Sequence, residues 1–153
     1  MFKKVLVGCD PRGEKQVDFI VSYLKDRGVE VVVFDSTGCD YVDSAKLCCT
    51  EFKKNNAFDA LVLVCGTGVG VNIVANRFSF IRAVLGDNAK QVYFARRHED
   101  CNCLCLFAGY SDNHNTLEFD KTKMMECVDA FLDTPFEGGR HFERVKKLST
   151  LGE

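Results

Sequence analysis

Residues 60–76, ALVLVCGTGVGVNIVAN, decide the fold of this chain. Ala60 to Val64 is a short, branched apolar run, which is typical of a buried parallel strand, and the alternating glycines after it lead into a helix-like pattern. The order of strand, glycine-rich loop and helix aims backbone N–H groups and the positive end of the helix dipole at one point beyond the strand. The sequence therefore predicts a site for an oxyanion or an anionic ligand next to Cys65.

Cys65 itself lies between this predicted strand and the glycine-rich loop. A thiol in that position is expected to be partly exposed and surrounded by positive potential, which favours the thiolate and suits a base or a nucleophile. The alternative is a buried apolar cysteine that ends a strand. The glycine-rich loop directly behind Cys65 favours the chemical interpretation.

The composition limits the size and the partners of the protein. With 153 residues and a net charge of −2, the chain is expected to form one domain, residues 1–153, without a large basic surface for nucleic acid or an anionic membrane. The apolar run near the amino terminus is too short for a signal peptide or a membrane span, which favours a cytoplasmic protein. Nine cysteines without a C-x-x-C pair indicate reduced thiols rather than disulfides.

Strand-like and helix-like segments alternate along the whole chain, which predicts a five-stranded parallel sheet covered by helices on both faces. The first helix-like segment has an apolar stripe formed by Val17, Ile20, Val21 and Leu24, and it ends at Gly28. The predicted strands are Lys3–Gly8, Gly28–Phe34, Ala60–Val64, Ile81–Gly86 and Asn102–Phe107. The later predicted helices are Asp43–Asn55, Val71–Asn76, Asn88–His98, Leu117–Leu132 and one from Gly139 onward, with a polar stretch at 111–116.

Parallel sheets of this kind bind ligands beyond the carboxyl ends of their strands, where the strand order reverses. With five strands, this point usually lies between the first and third strands, whose ends here carry Asp10 and Cys65. Topology therefore favours a place for Asp10 at the ligand site. The alternative is that Asp10 caps the first helix.

Six short segments carry a resemblance over nearly the whole chain: GCD (8–10), CGTGVG (65–70), AN (75–76), IRA (81–83), RRHED (96–100) and EGGRHFERV (137–145). In this order they resemble the type B ribose-5-phosphate isomerase family, which includes the galactose-6-phosphate isomerase subunits. The resemblance implies a three-layer α/β/α Rossmann-like domain that isomerises a sugar phosphate through an enediolate. It also implies a homodimer with shared active sites, with a tetramer as the larger alternative, and no metal or organic cofactor.

The resemblance also assigns roles to individual residues. Cys65 takes the place of the proton-abstracting base, and the loop after it takes that of the enediolate binder, since preorganised N–H donors stabilise a developing oxyanion. Thr67 adds a hydroxyl to this catalytic group. The loop consists of Gly66, Thr67, Gly68, Val69 and Gly70.

Residues far along the chain complete the implied site. His98 matches the ring-opening acid, a role that suits an imidazole because it gives and takes protons near neutral pH. Arg140 and Arg144, four residues apart on one helix face, match the phosphate-binding arginines. Without the resemblance, His98 would be a helix-capping residue and the two arginines a solvated basic face.

Three positions depart from the family's pattern. Pro11 stands where most members have a histidine, and Gly109 stands where the family has an arginine, so two expected phosphate ligands are missing. An insertion, SDNHNTLE or close to it, follows Gly109. Glu99, beside the catalytic histidine position, replaces an asparagine among the substrate-binding positions, and its carboxylate would repel a nearby phosphate.

Arg12 is predicted to replace the ligand lost at the preceding position. It follows the first strand at the start of a helix, so its long bidentate side chain can reach the same mouth as Cys65. The alternative is a solvated loop arginine.

Other cysteines and histidines have simpler interpretations. Core packing is expected for the alternating Cys101, Cys103 and Cys105, because zinc sites usually draw their ligands from turns. Cys48 and Cys49 are likewise expected to pack inside a helix interface. His114 is expected to be exposed, and His141 is expected to be an auxiliary phosphate contact.

Three functions remain open at this stage. The first is the sugar-phosphate isomerase, and the second is a non-catalytic or altered-specificity homologue that binds a sugar or sugar phosphate. The third is a cysteine hydrolase using Cys65 and His98, for which the sequence offers no triad partner. An apolar fifth strand and a long helix are expected at the sheet edge, where a twofold partner would cover them, so a dimer in solution is predicted.

Overall fold

Five parallel strands form the central sheet in the computed structural model, which describes residues 1–152. They are β1 Lys4–Cys9, β2 Glu30–Val33, β3 Ala60–Cys65, β4 Ala83–Leu85 and β5 Cys103–Phe107. Their order in the sheet is β2-β1-β3-β5-β4, and every neighbouring pair is parallel. The predicted five-stranded parallel sheet is therefore confirmed.

Helices connect the strands and cover both faces of the sheet. They are α1 Glu14–Asp26, α2 Tyr41–Lys53, α3 Val69–Ala75, α4 Ala89–Glu99, α5 Lys121–Asp133 and α6 His141–Leu148, with one 3-10 turn at Lys54–Asn56. Alternating strand residues point into two separate apolar layers, one packed against α1, α4 and α5 and the other against α2 and α3. This is the three-layer α/β/α Rossmann-like arrangement. Within residues 1–152, no helix combines the length and apolar character that a membrane span requires.

Most predicted segments differ from the observed ones by one or two residues at each end. The larger difference is at α5, which begins at Lys121 instead of Leu117. The carboxylate of Asp120 accepts a hydrogen bond from the backbone N–H of Lys123 and caps the helix there. The residues before it form an antiparallel hairpin, with β6 at Tyr110–Ser111 and β7 at Thr116–Leu117, which the polar stretch did not predict.

The position of β5 also corrects one expectation. β5 lies between β3 and β4, so it is an inner strand and not an edge of the sheet. The edges are formed by β2 and β4. The expectation that a twofold partner covers an apolar fifth strand at the sheet edge is therefore wrong. The dimer itself stays a prediction, on other grounds.

The cysteines pack as the sequence predicted. Cys48, Cys49, Cys103 and Cys105 are fully buried in the layer beneath α2 and α3, and all nine thiols are free. Burial raises the pKa of Cys48 and of Cys49 to about 12. These thiols therefore stay protonated at neutral pH.

Alkylation of the native protein tests this assignment. Because the thiolate is the reactive form, iodoacetamide at neutral pH is expected to leave Cys48 and Cys49 unmodified, and to modify them only after unfolding. Peptide mass spectrometry measures the extent at each site, with the half-buried Cys39 as the internal reference. Labelling of Cys48 as fast as Cys39 would contradict the assignment.

Candidate functional site

A pocket opens where the strand order reverses, beyond the carboxyl ends of β1 and β3. Its cavity volume is ≈ 320 Å³. This is the place that topology predicted for a ligand. The predicted site residues in its lining are Asp10, Arg12, Cys65, Gly66, Thr67, Val69 and Gly70.

Cys65 is the last residue of β3, and its sulfur faces the turn into α3. The backbone N–H of Gly68 donates a hydrogen bond to Cys65 Sγ across 3.1 Å, so the loop points a backbone donor at the sulfur, as the sequence predicted. Gly68 has φ 75°, and a Cβ there would lie 2.9 Å from Leu85 Cδ1, so only glycine fits this turn. The expectation of a partly exposed thiol is wrong, because Cys65 belongs to the strand and is only 4% exposed. Only the face toward the pocket is open.

Asp10 and Thr67 flank Cys65 in this pocket. One carboxylate oxygen of the buried Asp10 accepts the backbone N–H of Gly13 across 2.8 Å, so Asp10 both orders the turn before α1 and faces the pocket. The hydroxyl oxygen of Thr67 accepts the N–H of Val69 across 3.3 Å. That leaves the Thr67 O–H free to donate to a ligand.

Arg12 also lines the pocket. Its guanidinium carbon lies 4.7 Å from the centre of the Tyr110 ring, which is a cation–π distance. In the part of the chain that the structure describes, Arg12 forms no ion pair with a carboxylate. The pocket therefore carries one guanidinium whose hydrogen-bonding edge is available to an anion.

Sequence reasoning missed three lining residues, namely Tyr41, Ile73 and Tyr110. The Tyr41 ring lies so close to Gly70 that a Cβ there would come within 2.7 Å of it, which explains the third glycine of the loop. Ile73 is one α3 turn past Val69 on the same helix face, and helical periodicity could have found it. Tyr110 is brought to the pocket by the hairpin, for which the sequence has no comparable signal.

The remaining predicted residues do not reach this pocket within one chain. α4 connects two parallel strands and so runs opposite to them, which places its last residues, His98 and Glu99, at the amino ends of the strands, opposite to the pocket. Glu99 lines a different cavity, together with Arg77 and Arg82. Arg140 and Arg144 are exposed at the start and middle of α6, which packs on α4.

On this side of the sheet, opposite to the pocket, His98 belongs to a cluster with Glu137 and His141. The two imidazole rings are stacked with centroids 4.3 Å apart and an interplanar angle of 9°. Their Nε2 atoms lie 3.7 Å and 3.2 Å from Glu137 Oε2. His141 is buried, so its expected role as an auxiliary phosphate contact has no support in its surroundings.

Glu137 holds this cluster as an anion. Partial desolvation raises the pKa of Glu137, but Arg97, which forms a 3.1 Å ion pair with it, and the two histidines lower it, so the net shift is downward. The three ligand atoms lie within 4.8 Å of one another, close enough for a metal ion. However, the two imidazole rings are nearly parallel, so the lone pairs of their ring nitrogens lie in separate planes and do not point at one ion.

The fold and the pocket define the class of this protein, a Rossmann-like α/β protein with a thiol and a glycine-rich loop at the reversal point of its sheet. Comparison with known proteins then gives the family. The profile of the Ribose/Galactose Isomerase family matches residues 5–148, and the chain belongs to this family. The resemblance drawn from the six segments is confirmed.

Individual relatives are similar over nearly their whole length. The chain is 34% identical over 152 residues to the ribose-5-phosphate isomerase B of Escherichia coli strain K12, covering 97% of this chain and 96% of that protein. The solved ribose 5-phosphate isomerase of Thermotoga maritima aligns with a TM-score of 0.83 at 31% identity, covering 97% and 99% of the two chains. The enzyme of Mycoplasma genitalium with bound ribulose-5-phosphate aligns with a TM-score of 0.79 at 32% identity, covering 95% and 93%.

Proposed function

We propose that this chain is an aldose–ketose isomerase that interconverts ribose 5-phosphate and ribulose 5-phosphate, or a related sugar phosphate, by proton transfer through an enediolate. The observation that carries this proposal is the Gly68 N–H donated to the Cys65 sulfur at the mouth of the pocket. It gives a family member a thiol poised as a base beside a loop of N–H donors. The similar proteins named above are ribose-5-phosphate isomerases by name, and the structure from Mycoplasma genitalium contains bound ribulose-5-phosphate.

The reaction needs a base, an oxyanion site and a proton donor. The Cys65 thiolate removes the proton from C2 of the open-chain aldose, and the electrons of that C–H bond form an enediolate. The N–H groups of the loop from Gly66 to Gly70 stabilise the developing oxyanion, and the Thr67 hydroxyl can move a proton between the two oxygens. Return of the proton from Cys65 to C1 then gives the ketose.

A second copy of the chain supplies the residues that one pocket lacks. Within one chain, His98, Arg140 and Arg144 lie toward the amino ends of the strands, whereas Cys65 lies at a carboxyl end, so ring opening and phosphate binding at this pocket call for the partner's copies of them. A twofold homodimer, alone or within a tetramer, brings the pocket of each chain together with the His98 region of the other, so the pairing occurs twice. In such a dimer, Glu99 of one chain would approach the other chain's pocket together with the neighbouring His98 of its own chain.

A coupled assay over a panel of five- and six-carbon sugar phosphates tests this function. Turnover of at least one member, together with exchange of its C2 proton with solvent, is the expected result. Tight binding of a sugar phosphate without turnover or exchange would replace the proposal with the second function, a non-catalytic homologue. The missing ligands at Pro11 and Gly109 are the observation that favours this second function.

Arg12 is expected to take over part of the lost phosphate binding. Arg12→Ala should raise KM for a phosphorylated sugar by roughly ten-fold or more, because it removes ~1.5–3 kcal/mol of charged hydrogen bonding, with a smaller effect on kcat. Steady-state kinetics measure both constants. Lys15→Ala, on the exposed surface of α1 outside the pocket, is the matched control. An unchanged KM in Arg12→Ala would point to a ligand without a tightly held phosphate.

We also propose that residues 1–153 form a single sugar-phosphate isomerase domain and that the protein works in the cytoplasm. The family match over residues 5–148 and the nine free cysteines, seven of them buried, support these two proposals.

A further inference from the structure

The hairpin formed by residues 110–117 is fixed directly onto the glycine-rich loop. The backbone N–H of Ala108 donates to the carbonyl of Cys65 across 2.9 Å, and that of Gly109 donates to the carbonyl of Gly66 across 3.0 Å. Gly109 then turns the chain with φ 104°, a conformation that favours glycine. The first residue after this turn, Tyr110, is thereby placed against Gly66.

The hairpin is also ordered by its own contacts. Ser111 and Thr116 pair through their hydroxyls across 2.8 Å, and Asp112 accepts the backbone N–H groups of His114 and Asn115 across 2.7 and 2.8 Å. These two donors lower the pKa of Asp112, so the turn keeps its carboxylate at neutral pH. Tyr110 is therefore carried by a closed turn rather than by a loose loop.

Tyr110 and Arg12 meet over the same spot beside Cys65. A Cβ on Gly66 would lie 3.2 Å from Tyr110 Cδ2 and 3.4 Å from Arg12 Cδ, so both side chains pack on the residue that follows the thiol. The Arg12 guanidinium lies over the face of the Tyr110 ring. A stacked guanidinium keeps its N–H edge free, and that edge is the part that binds a phosphate in a bidentate manner.

We propose that Tyr110 is a positioning residue that holds Arg12 over the pocket for the phosphate group of the substrate. The inference rests on the proposed function and extends it to the insertion, which replaces the family's missing arginine at Gly109 with an aromatic support for Arg12. A long flexible side chain loses rotamer freedom when it binds, and stacking on Tyr110 removes part of that freedom beforehand. The hairpin thereby favours phosphorylated sugars over uncharged ones.

Kinetics of three Tyr110 variants test the inference. Tyr110→Ala is expected to raise KM for the sugar phosphate about three- to five-fold, the range for a cation–π contact at an exposed site, with little change in kcat. Tyr110→Phe keeps the aromatic face and should behave as wild type. Tyr110→Leu keeps apolar packing on Gly66 but lacks the aromatic face, so it should show the same rise in KM. It therefore serves as the test if Tyr110→Ala folds poorly.

A double-variant cycle separates positioning from simple packing. If Tyr110 acts through Arg12, Arg12→Ala combined with Tyr110→Leu should have the KM of Arg12→Ala alone. If the effects of the two substitutions on KM instead add in the double variant, the inference is overturned. A wild-type KM in Tyr110→Leu would overturn it as well.

Binding of inorganic phosphate, followed by calorimetry, keeps the inference distinct from the proposed function. Even if no sugar phosphate is turned over, phosphate should bind wild type and Tyr110→Phe alike and bind Tyr110→Leu several-fold more weakly. Equal phosphate affinity in wild type and Tyr110→Leu would overturn the role of Tyr110 and leave the isomerase proposal standing.

Discussion

Cys65→Ala is expected to lower the isomerisation rate by about 10²–10⁴-fold or more, the usual value of general acid–base catalysis. The substitution removes the sulfur that accepts the Gly68 N–H in the pocket and that is proposed to take the C2 proton. Because Cys65 is small and lies at the end of β3, the variant should fold and keep its oligomeric state. The coupled isomerase assay and the exchange of the C2 proton with solvent are the two measurements.

The control for this variant is Cys39→Ala. Cys39 lies in the loop before α2, outside the pocket, so its replacement should leave turnover unchanged. Circular dichroism and light scattering should match wild type for both variants. Near-normal turnover in a folded Cys65→Ala would remove Cys65 as the base, and retained C2 exchange without net turnover would place its role after proton abstraction.

Recovery of isomerase activity is expected when two inactive variants are mixed. Cys65 lies at the carboxyl end of β3 and His98 toward the amino ends of the strands in one chain, so a site that uses both must draw them from two chains. Cys65→Ala and His98→Ala should each be nearly inactive alone. In a mixed dimer, one site carries both substitutions and the other carries neither, so re-associated mixtures should recover about a quarter of the wild-type rate.

This experiment requires evidence that subunits of the two variants exchange to form mixed dimers. Mild dissociation and re-association, followed by native mass spectrometry of differently tagged variants, measures the fraction of mixed dimers. Recovery should rise in proportion to that fraction. Fully mixed dimers without recovery, or a strictly monomeric wild type that still turns over a sugar phosphate, would contradict the shared site.

The sequence alone determined the parts of the protein that depend on local order. The strand, glycine loop and helix at residues 60–76 have a pattern that few other arrangements satisfy, and the alternation of segments leaves little choice but a parallel sheet. With that sheet, the ends of β1 and β3 had to meet, and Asp10 and Cys65 with them. The family followed from motifs that span the chain.

The tertiary structure alone decided what lies around that loop. The burial of Cys65 depends on the helices packed over β3, and the inner position of β5 depends on the order in which strands pair, which no local pattern encodes. Tyr110 reaches the pocket because a hairpin folds back through two backbone hydrogen bonds, although forty-five positions separate it from Cys65 in the sequence. The direction of α4 places His98 at the amino ends of the strands, opposite to Cys65. Contacts between distant segments form only when the whole chain packs. Residue spacing therefore predicts the glycine-rich loop, and the three-dimensional structure decides its neighbours.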